Sequence, residues 1–389
     1  MSVTAPKGFV AAGGSAGIKA NDAPDVAVVA TADGRAVPCG GVFTSNLAIA
    51  APVQVSRTHL AASKGKAAGV VLTSGNANAA TGGAGREAAE RVCAVVAGGV
   101  GAATEEILIC QTGLIGIPFP IETVEPRLAA IVGAKASGPD AGAAAARAIM
   151  TIDTVPKEVV IAGQGFTVGG MAKGAAMLAP NMATMLAVLT TDAAVDAATL
   201  QKALHEAVGA SFNAMTVDGC TSTNDTVLVL ASGLAEVPAP SAFTAALTEA
   251  CVSLAEQMVA DAEGATKVAH ITVRGATTDE AAHVAARKVA DSMLVQCSLF
   301  GGDPYWGRIV SELGSAGTPF DPDRVAVAYG GTVVCAAGVA APHDAAAVAA
   351  HMAGRHIQID CDLGLGSGRA VVLGTDLGYG YIDENKTTS

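Results

Sequence analysis

The hydrophobic positions along this chain fall into two kinds of block. Val70-Val-Leu-Thr73, Ile107-Leu-Ile-Cys110, Val159-Val-Ile-Ala162 and Thr226-Val-Leu-Val-Leu230 are short, uninterrupted apolar runs rich in β-branched residues, and they predict strands. Arg86 to Ala97 places its charged residues on one side and its apolar residues on the other, the pattern of an amphipathic helix. Ala193 to Ala210 predicts a second helix, with Asp196 as its cap or first-turn acid. Phe243 to Asp261 and Asp279 to Asp291 predict two more. Strands interleaved with helices describe a mixed α/β protein. No fixed-period repeat runs through the chain, and its Gly-rich stretches are spread out instead of forming one linker.

Composition sharpens this picture. A chain of 389 residues can bury a large core and is long enough for two or three domains. It is 51% hydrophobic but only 3% aromatic, so its apolar mass is Ala, Val and Leu beside 46 Gly, which suits closely packed strands and helices. The net charge is −12 and no Lys/Arg cluster with interleaved aromatics occurs, which argues against nucleic-acid binding. An acidic protein can still bind acidic amino acids, because a few placed cations decide that locally. The eight cysteines are widely and irregularly spaced without a Cys-x-x-Cys pair, and the seven histidines are dispersed. Neither a disulfide scaffold nor a metal site is legible, and no cofactor is expected. The first residues lack the charged segment and Leu-rich core of a signal peptide. Two uncharged stretches, 174–191 and 325–342, are interrupted by Pro180-Asn181 and by Tyr329-Gly-Gly331, so neither reads as a membrane span. A soluble cytoplasmic protein is expected.

The chemistry concentrates in Lys173-Gly-Ala-Ala-Met-Leu-Ala-Pro-Asn-Met-Ala183-Thr184-Met-Leu-Ala-Val-Leu189. A small-residue loop with the turn signal Pro180-Asn181 runs into Thr184, and an apolar run follows at once. On spacing alone, a threonine here is first of all a strand residue. Cleavage of the chain before it would make it something else. Its hydroxyl would then be a nucleophile, and its freed α-amine, with a pKa of roughly 7.7–8.0, a base on the same residue.

This block resembles the self-cleavage site of the ornithine acetyltransferases, arginine-biosynthesis enzymes that pass an acetyl group from N-acetylornithine to glutamate. The family pattern K-G-x-G/A-M-x-x-P-x-x-A-T-M-L is matched nearly throughout. The resemblance implies an α/β sandwich of the type shared with self-processing aminopeptidases, and cleavage between Ala183 and Thr184. That cleavage gives an alpha chain, 1–183, carrying the oxyanion hole, and a beta chain, 184–389, beginning with the nucleophile. Two copies of each are implied in the assembly.

Gln111-Thr112-Gly113-Leu-Ile-Gly116 follows a predicted strand, where a hydroxyl and a glycine N–H side by side can point at one oxygen. It resembles the family's S-T-G-x-I-G, which assigns the oxyanion hole to Thr112 and Gly113; Gln111 stands in place of Ser. Thr151-Ile-Asp-Thr-Val-Pro-Lys157 is similar to T-T-D-T-x-P-K and implies a substrate contact at Thr151, with Ile152 in place of the second Thr. Lys173 is implied as a substrate residue that can pair with an α-carboxylate. Asp261-Ala-Glu263-Gly-Ala-Thr-Lys267 resembles D-x-E-G-x-T-K, and Glu263 would suit an ammonium group of ornithine. Asn385 and Ser389 of the tail are implied substrate contacts, although this tail is one residue short and lacks the family's Tyr. Ser74-Gly-Asn-Ala-Asn78, Ser222-Thr-Asn-Asp225 and Gly302-Asp-Pro-Tyr-Trp-Gly-Arg308 also resemble family signatures and carry no assigned role.

The implied activity is acetyl transfer by a ping-pong acetyl-enzyme on Thr184. Its substrates and products are N-acetylornithine, glutamate, ornithine and N-acetylglutamate. Acetyl-CoA remains open as an alternative donor. A self-cleaving aminopeptidase and a non-catalytic small-molecule binding protein are the competing readings. Gly364-Leu-Gly-Ser-Gly368 precedes another strand-like run and leaves too little chain for a dinucleotide-binding unit.

Overall fold

The computed structural model describes residues 2–177 and 185–386. Its described residues divide into two compact units. The first comprises residues 2–174, 185–213 and 220–258; the second comprises 175–177, 214–219 and 259–386.

The first unit contains ten strands: β1 (Phe9–Gly14), β2 (Val26–Thr31), β3 (Val37–Phe43), β4 (Lys66–Ala67), β5 (Gly69–Asn76), β6 (Ile107–Leu114), β7 (Lys157–Ala162), β8 (Thr167–Lys173), β9 (Leu186–Thr191) and β10 (Thr226–Ala231). Its helices are α1 (Ala51–Ala62), α2 (Gly82–Val100), α3 (Ile121–Gly133), α4 (Pro139–Ala148), α5 (Ala197–Gly209) and α6 (Pro240–Ala260), the last belonging to this unit as far as Met258. The strands form two sheets, ordered β1-β2-β5-β6 and β4-β3-β10-β9-β8-β7.

The period of two along each strand explains the layering. Val26, Val28 and Ala30 of β2, with Val71 of β5 and Ile107 and Ile109 of β6, pack with Ala89, Val92 and Val96 of α2 and with Val124 and Leu128 of α3. The intervening residues Ala27, Val29, Val70, Leu72, Leu108 and Cys110 turn the other way and meet Met171, Leu186, Val188, Leu228 and Leu230 of the second sheet. Both faces of these strands are buried, so the sequence shows continuous apolar runs. The second sheet bears helices in turn. Gln201 of α5 exchanges hydrogen bonds with Gly41 of β3, at 2.9 and 3.0 Å. Phe243 of α6 packs on Phe166, with ring centroids 5.8 Å apart. The unit is a helix–sheet–sheet–helix sandwich, the α/β sandwich expected from the sequence.

The second unit holds β11 (Val268–Ala276), β12 (Ala326–Tyr329), β13 (Thr332–Ala336), β14 (Val339–Ala340), β15 (His356–Asp362) and β16 (Gly368–Thr375), in the order β14-β13-β12-β15-β11-β16. Helices α7 (Asp279–Ala290), α8 (Met293–Gly301), α9 (Trp306–Gly314), α10 (Ala345–Ala353) and α11 (Tyr379–Asn385) complete it. Ile271, Val273, Ile357 and Ile359 bury one sheet face against Ala282, Ala286, Val289, Leu299 and Leu313, while His270, Arg274, Gln358 and Asp360 alternate onto the other.

All four expected strands form, and the four expected helices match α2, α5, α6 and α7 within a few residues. Asp196 caps α5, its carboxylate accepting the Thr199 amide at 2.9 Å. Gly364 to Gly368 lead into β16 instead of a helix, so no dinucleotide-binding turn forms there. Six cysteines are buried free thiols, and Cys220 and Cys297 are exposed. Among the described residues, no helix is long and apolar enough to cross a membrane. The compact units do not follow the division expected at Ala183/Thr184, since β9, just beyond it, lies inside a sheet of the first unit.

Candidate active site

The end of β6 carries Thr112 and Gly113. β6 runs parallel to β5, with Ser74 opposite Thr112 and Gly75 opposite Gly113, and the register shifts at Asn76. Gly113 adopts φ of +132°, and a Cβ on it would stand 2.2 Å from the Gly75 carbonyl carbon. Only glycine permits that approach of two backbones. Thr112 is buried while Gly113 is exposed, so the pair sits where the strand reaches the surface.

Gln111, the departure from the family pattern, is a buried strut. Its amide donates to Thr73 Oγ1 at 3.1 Å, and its Oε1 accepts the Asn78 amide at 2.8 Å. The segment leading into β10 then joins two strands. Asn224 Nδ2 donates to the carbonyls of Gln111, at 2.9 Å, and Ala77, at 2.6 Å. The next residue, Asp225, accepts the Met185 amide on Oδ1 at 3.1 Å. Consecutive residues thus hold the residue before Thr112 and the residue after Thr184. From the sequence neither Asn224 nor Asp225 has a role, although both lie in Ser222-Thr-Asn-Asp225, which resembles a family signature.

Thr151 and Lys173 are brought together by Asp153, another residue without a sequence-assigned role. The Asp153 carboxylate accepts the amides of Thr151 at 3.1 Å and Gly174 at 2.8 Å, and the Lys157 ammonium at 2.7 Å. Lys173 Nζ lies 3.8 Å away, and all three charged side chains are almost wholly buried. Burial alone would raise the Asp153 carboxyl, but Lys173, Lys157 and the Gly174 amide outweigh it and hold it well below the usual carboxylate range. Two ammonium groups thus flank this carboxylate, and a buried lysine held this way is of the residue type that pairs with a carboxylate. Lys19 adds a third cation to this region; its Nζ donates to the carbonyls of Pro24 and Met150, at 2.8 and 2.5 Å. Burial lowers its pKa, against the pull of Asp25. Ile152, in place of a threonine, is exposed.

Glu263 and Asn385 belong to the second unit and meet each other there. Asn385 Nδ2 donates to Glu263 Oε2 at 2.5 Å and to the Tyr381 carbonyl at 3.0 Å. Gly264 permits this: at φ of +63°, a Cβ on it would lie 2.3 Å from the Tyr381 nitrogen of α11. Ala183, Thr184 and Ser389 lie outside the described residues. A cavity of about 400 Å³ lined by His270, His351, His356 and Gln358 contains none of the residues read from the sequence. Among the described residues, no group of three or more His, Cys, Asp or Glu is arranged to hold a metal ion.

The whole-chain comparison decides the family. The model of the ArgJ family matches residues 10–388. The chain belongs to the ArgJ family. An arginine biosynthesis bifunctional protein ArgJ from Mycolicibacterium paratuberculosis is 46% identical over 100% of this chain and 96% of its own. The ArgJ of Thermosynechococcus vestitus is 42% identical over 98% and 96%. Among solved structures, the ornithine acetyltransferase of Mycobacterium tuberculosis, complexed with ornithine, is 41% identical over 46% of this chain and 94% of that one, with a TM-score of 0.44.

Proposed function

We propose that this ArgJ-family chain is an arginine-biosynthesis acetyltransferase that moves the acetyl group of N-acetylornithine to glutamate. The observation that carries the mechanism is the Asn224–Asp225 clamp, which holds the strand of Thr112 and the residue following Thr184 through adjacent side chains.

The chain first cuts itself. The Thr184 hydroxyl attacks the Ala183 carbonyl, an N-to-O acyl shift forms an ester, and water hydrolyses it to release the Ala183 carboxylate and a free Thr184 amine. That amine then takes the hydroxyl proton as Thr184 attacks the acetyl carbon of N-acetylornithine. Thr112 Oγ1 and the Gly113 N–H stabilise the tetrahedral oxyanion. Its collapse breaks the C–N bond, and ornithine leaves with the proton. Glutamate enters, its amine attacks the acetyl ester, and N-acetylglutamate departs as the Thr184 hydroxyl is restored.

The grouping of Lys173, Lys157 and Thr151 on Asp153 supports carboxylate binding by Lys173. Glu263 suits the substrate ammonium, and Asn385 and Ser389 complete the contacts. Acetyl-CoA remains open as a second donor, and the working unit is two alpha and two beta chains in the cytoplasm.

The test is transfer of a ¹³C-labelled acetyl group from N-acetylornithine to glutamate, followed by mass spectrometry. Labelled N-acetylglutamate and an acetylated Thr184 intermediate are expected. Release of labelled acetate without transfer would overturn the assignment in favour of a hydrolase.

A further inference from the structure

Lys157 and Lys173 share the Asp153 carboxylate, but Lys19 makes no ion pair among the described residues. Its half-buried ammonium donates to two neutral acceptors, the carbonyls of Pro24 and Met150. An ammonium has three N–H donors, so the third is unspent on any described residue.

The fold holds this lysine in place. The buried Asp25 carboxylate accepts the amides of Ala16 at 2.6 Å, Ile18 at 2.6 Å and Lys19 at 3.0 Å, so both of its oxygens are committed to the main chain. The Asp25 carbonyl accepts the Ser74 amide at 2.9 Å, and Ser74 lies opposite Thr112. The Lys19 stem packs on Gly75, where a Cβ would stand 3.1 Å from Lys19 Cγ, and Gly75 lies opposite Gly113. At the far end of the side chain, Met150, which accepts from the ammonium, directly precedes Thr151. Lys19 therefore spans from the strand ends that carry Thr112 and Gly113 to the segment of Thr151.

Its charge is costly as it stands. Burial disfavours it and so does Lys173, against the attraction of Asp25 and Asp153. A bound anion relieves that cost, whereas a second ammonium adds to it. The two substrates of the proposed reaction share an α-carboxylate and differ in the side chain. The donor, N-acetylornithine, carries an ammonium there, and the acceptor, glutamate, a second carboxylate.

We propose that Lys19 is a specificity-determining residue that binds the side-chain carboxylate of the acceptor glutamate, while Lys173 takes the α-carboxylate. The inference rests on the acetyltransferase reading.

The experiment measures acetyl transfer from N-acetylornithine to glutamate and to glutamine, its neutral isostere, by wild type, Lys19→Met and Lys19→Gln. Wild type should favour glutamate over glutamine by about 10²-fold or more in kcat/KM. Lys19→Met should lower that preference by about tenfold or more, through KM for glutamate. Its kcat/KM for N-acetylornithine should hold or rise, because the cation that repels the donor's ammonium is gone. In a ping-pong reaction the two constants report separate half-reactions, so the contrast is readable. Lys19→Gln can still donate to both carbonyls but is neutral, and it should lose the preference as Lys19→Met does.

A folded Lys19→Met that keeps the wild-type preference overturns the proposal, even if both half-reactions slow equally, since a mere strut for the Thr151 segment acts on both. If Lys19→Met does not fold, Lys19→Gln decides by the same ratio. Wild type that acetylates glutamine as readily as glutamate overturns the proposal without any variant. Wild type that acetylates neither strikes at the acetyltransferase reading itself and removes this assignment with it.

Discussion

The Asn224 side-chain amide donates to the main-chain carbonyl of Gln111 at 2.9 Å, one residue before Thr112. The same nitrogen holds the Ala77 carbonyl, and Asn224 is itself buried, so no water replaces either bond. Asn224→Leu should leave both carbonyls unmatched at about 1–3 kcal/mol each. Urea unfolding should show that loss, and kcat should fall by about tenfold or more as Thr112 loses its register. Unchanged stability and turnover would mean the clamp is incidental.

Gly113 and Gly75 approach too closely for any side chain. Gly113→Ala should therefore displace the N–H proposed for the oxyanion hole and reduce kcat by about 10²–10³. KM should move little, because the ground-state amide is not held there. A variant with near-wild-type kcat would remove Gly113 from the mechanism.

Lys173→Met tests the electrostatics of the Asp153 cluster. Asp153 keeps its 2.7 Å bond to Lys157 in this variant, so the fold should survive the loss of the Lys173 ammonium. KM for glutamate should rise by about tenfold or more, with a smaller change in kcat. A KM within about twofold of wild type would place the substrate carboxylate elsewhere.

Asp153 gives stability a defined pH dependence. Its carboxyl is held below the usual range in the folded chain. As pH falls, the unfolded chain therefore takes up the proton first, near the ordinary value of about 3.9, while the folded chain resists. The stabilisation is present above that pH and is lost progressively below it, down through the folded value. Melting temperatures from pH 6 to pH 3 should fall more steeply for wild type than for Asp153→Asn, which starts less stable because it leaves buried lysines without their carboxylate. Parallel curves would contradict this.

Much of the first unit was legible because its strands are buried on both faces and so read as plain apolar runs. Val70 to Thr73 and Ile107 to Cys110 needed no tertiary information. Thr112, Gly113, Thr151 and Lys173 were singled out only through a family resemblance that implies roles for them. Asp153, Asn224 and Asp225 lay inside the same motifs without a role, since each also acts on a backbone amide or carbonyl that only folding brings near. Asp153 joins Thr151 to Gly174 across a strand hairpin, and Asn224 reaches Gln111 from 113 residues away. Sequence spacing carries no trace of such bonds. The two compact units were equally hidden, because the first is assembled from three separated stretches of chain.

The central claim is that Thr184 becomes an N-terminal nucleophile by self-cleavage. Intact mass of the purified protein under denaturing conditions, beside Thr184→Ala, tests it most directly. Two wild-type fragments summing to the full chain plus one water are expected, the second beginning at Thr184, with a single uncut chain for the variant. A single wild-type chain, or a Thr184→Ala protein that is cut and active, would contradict it.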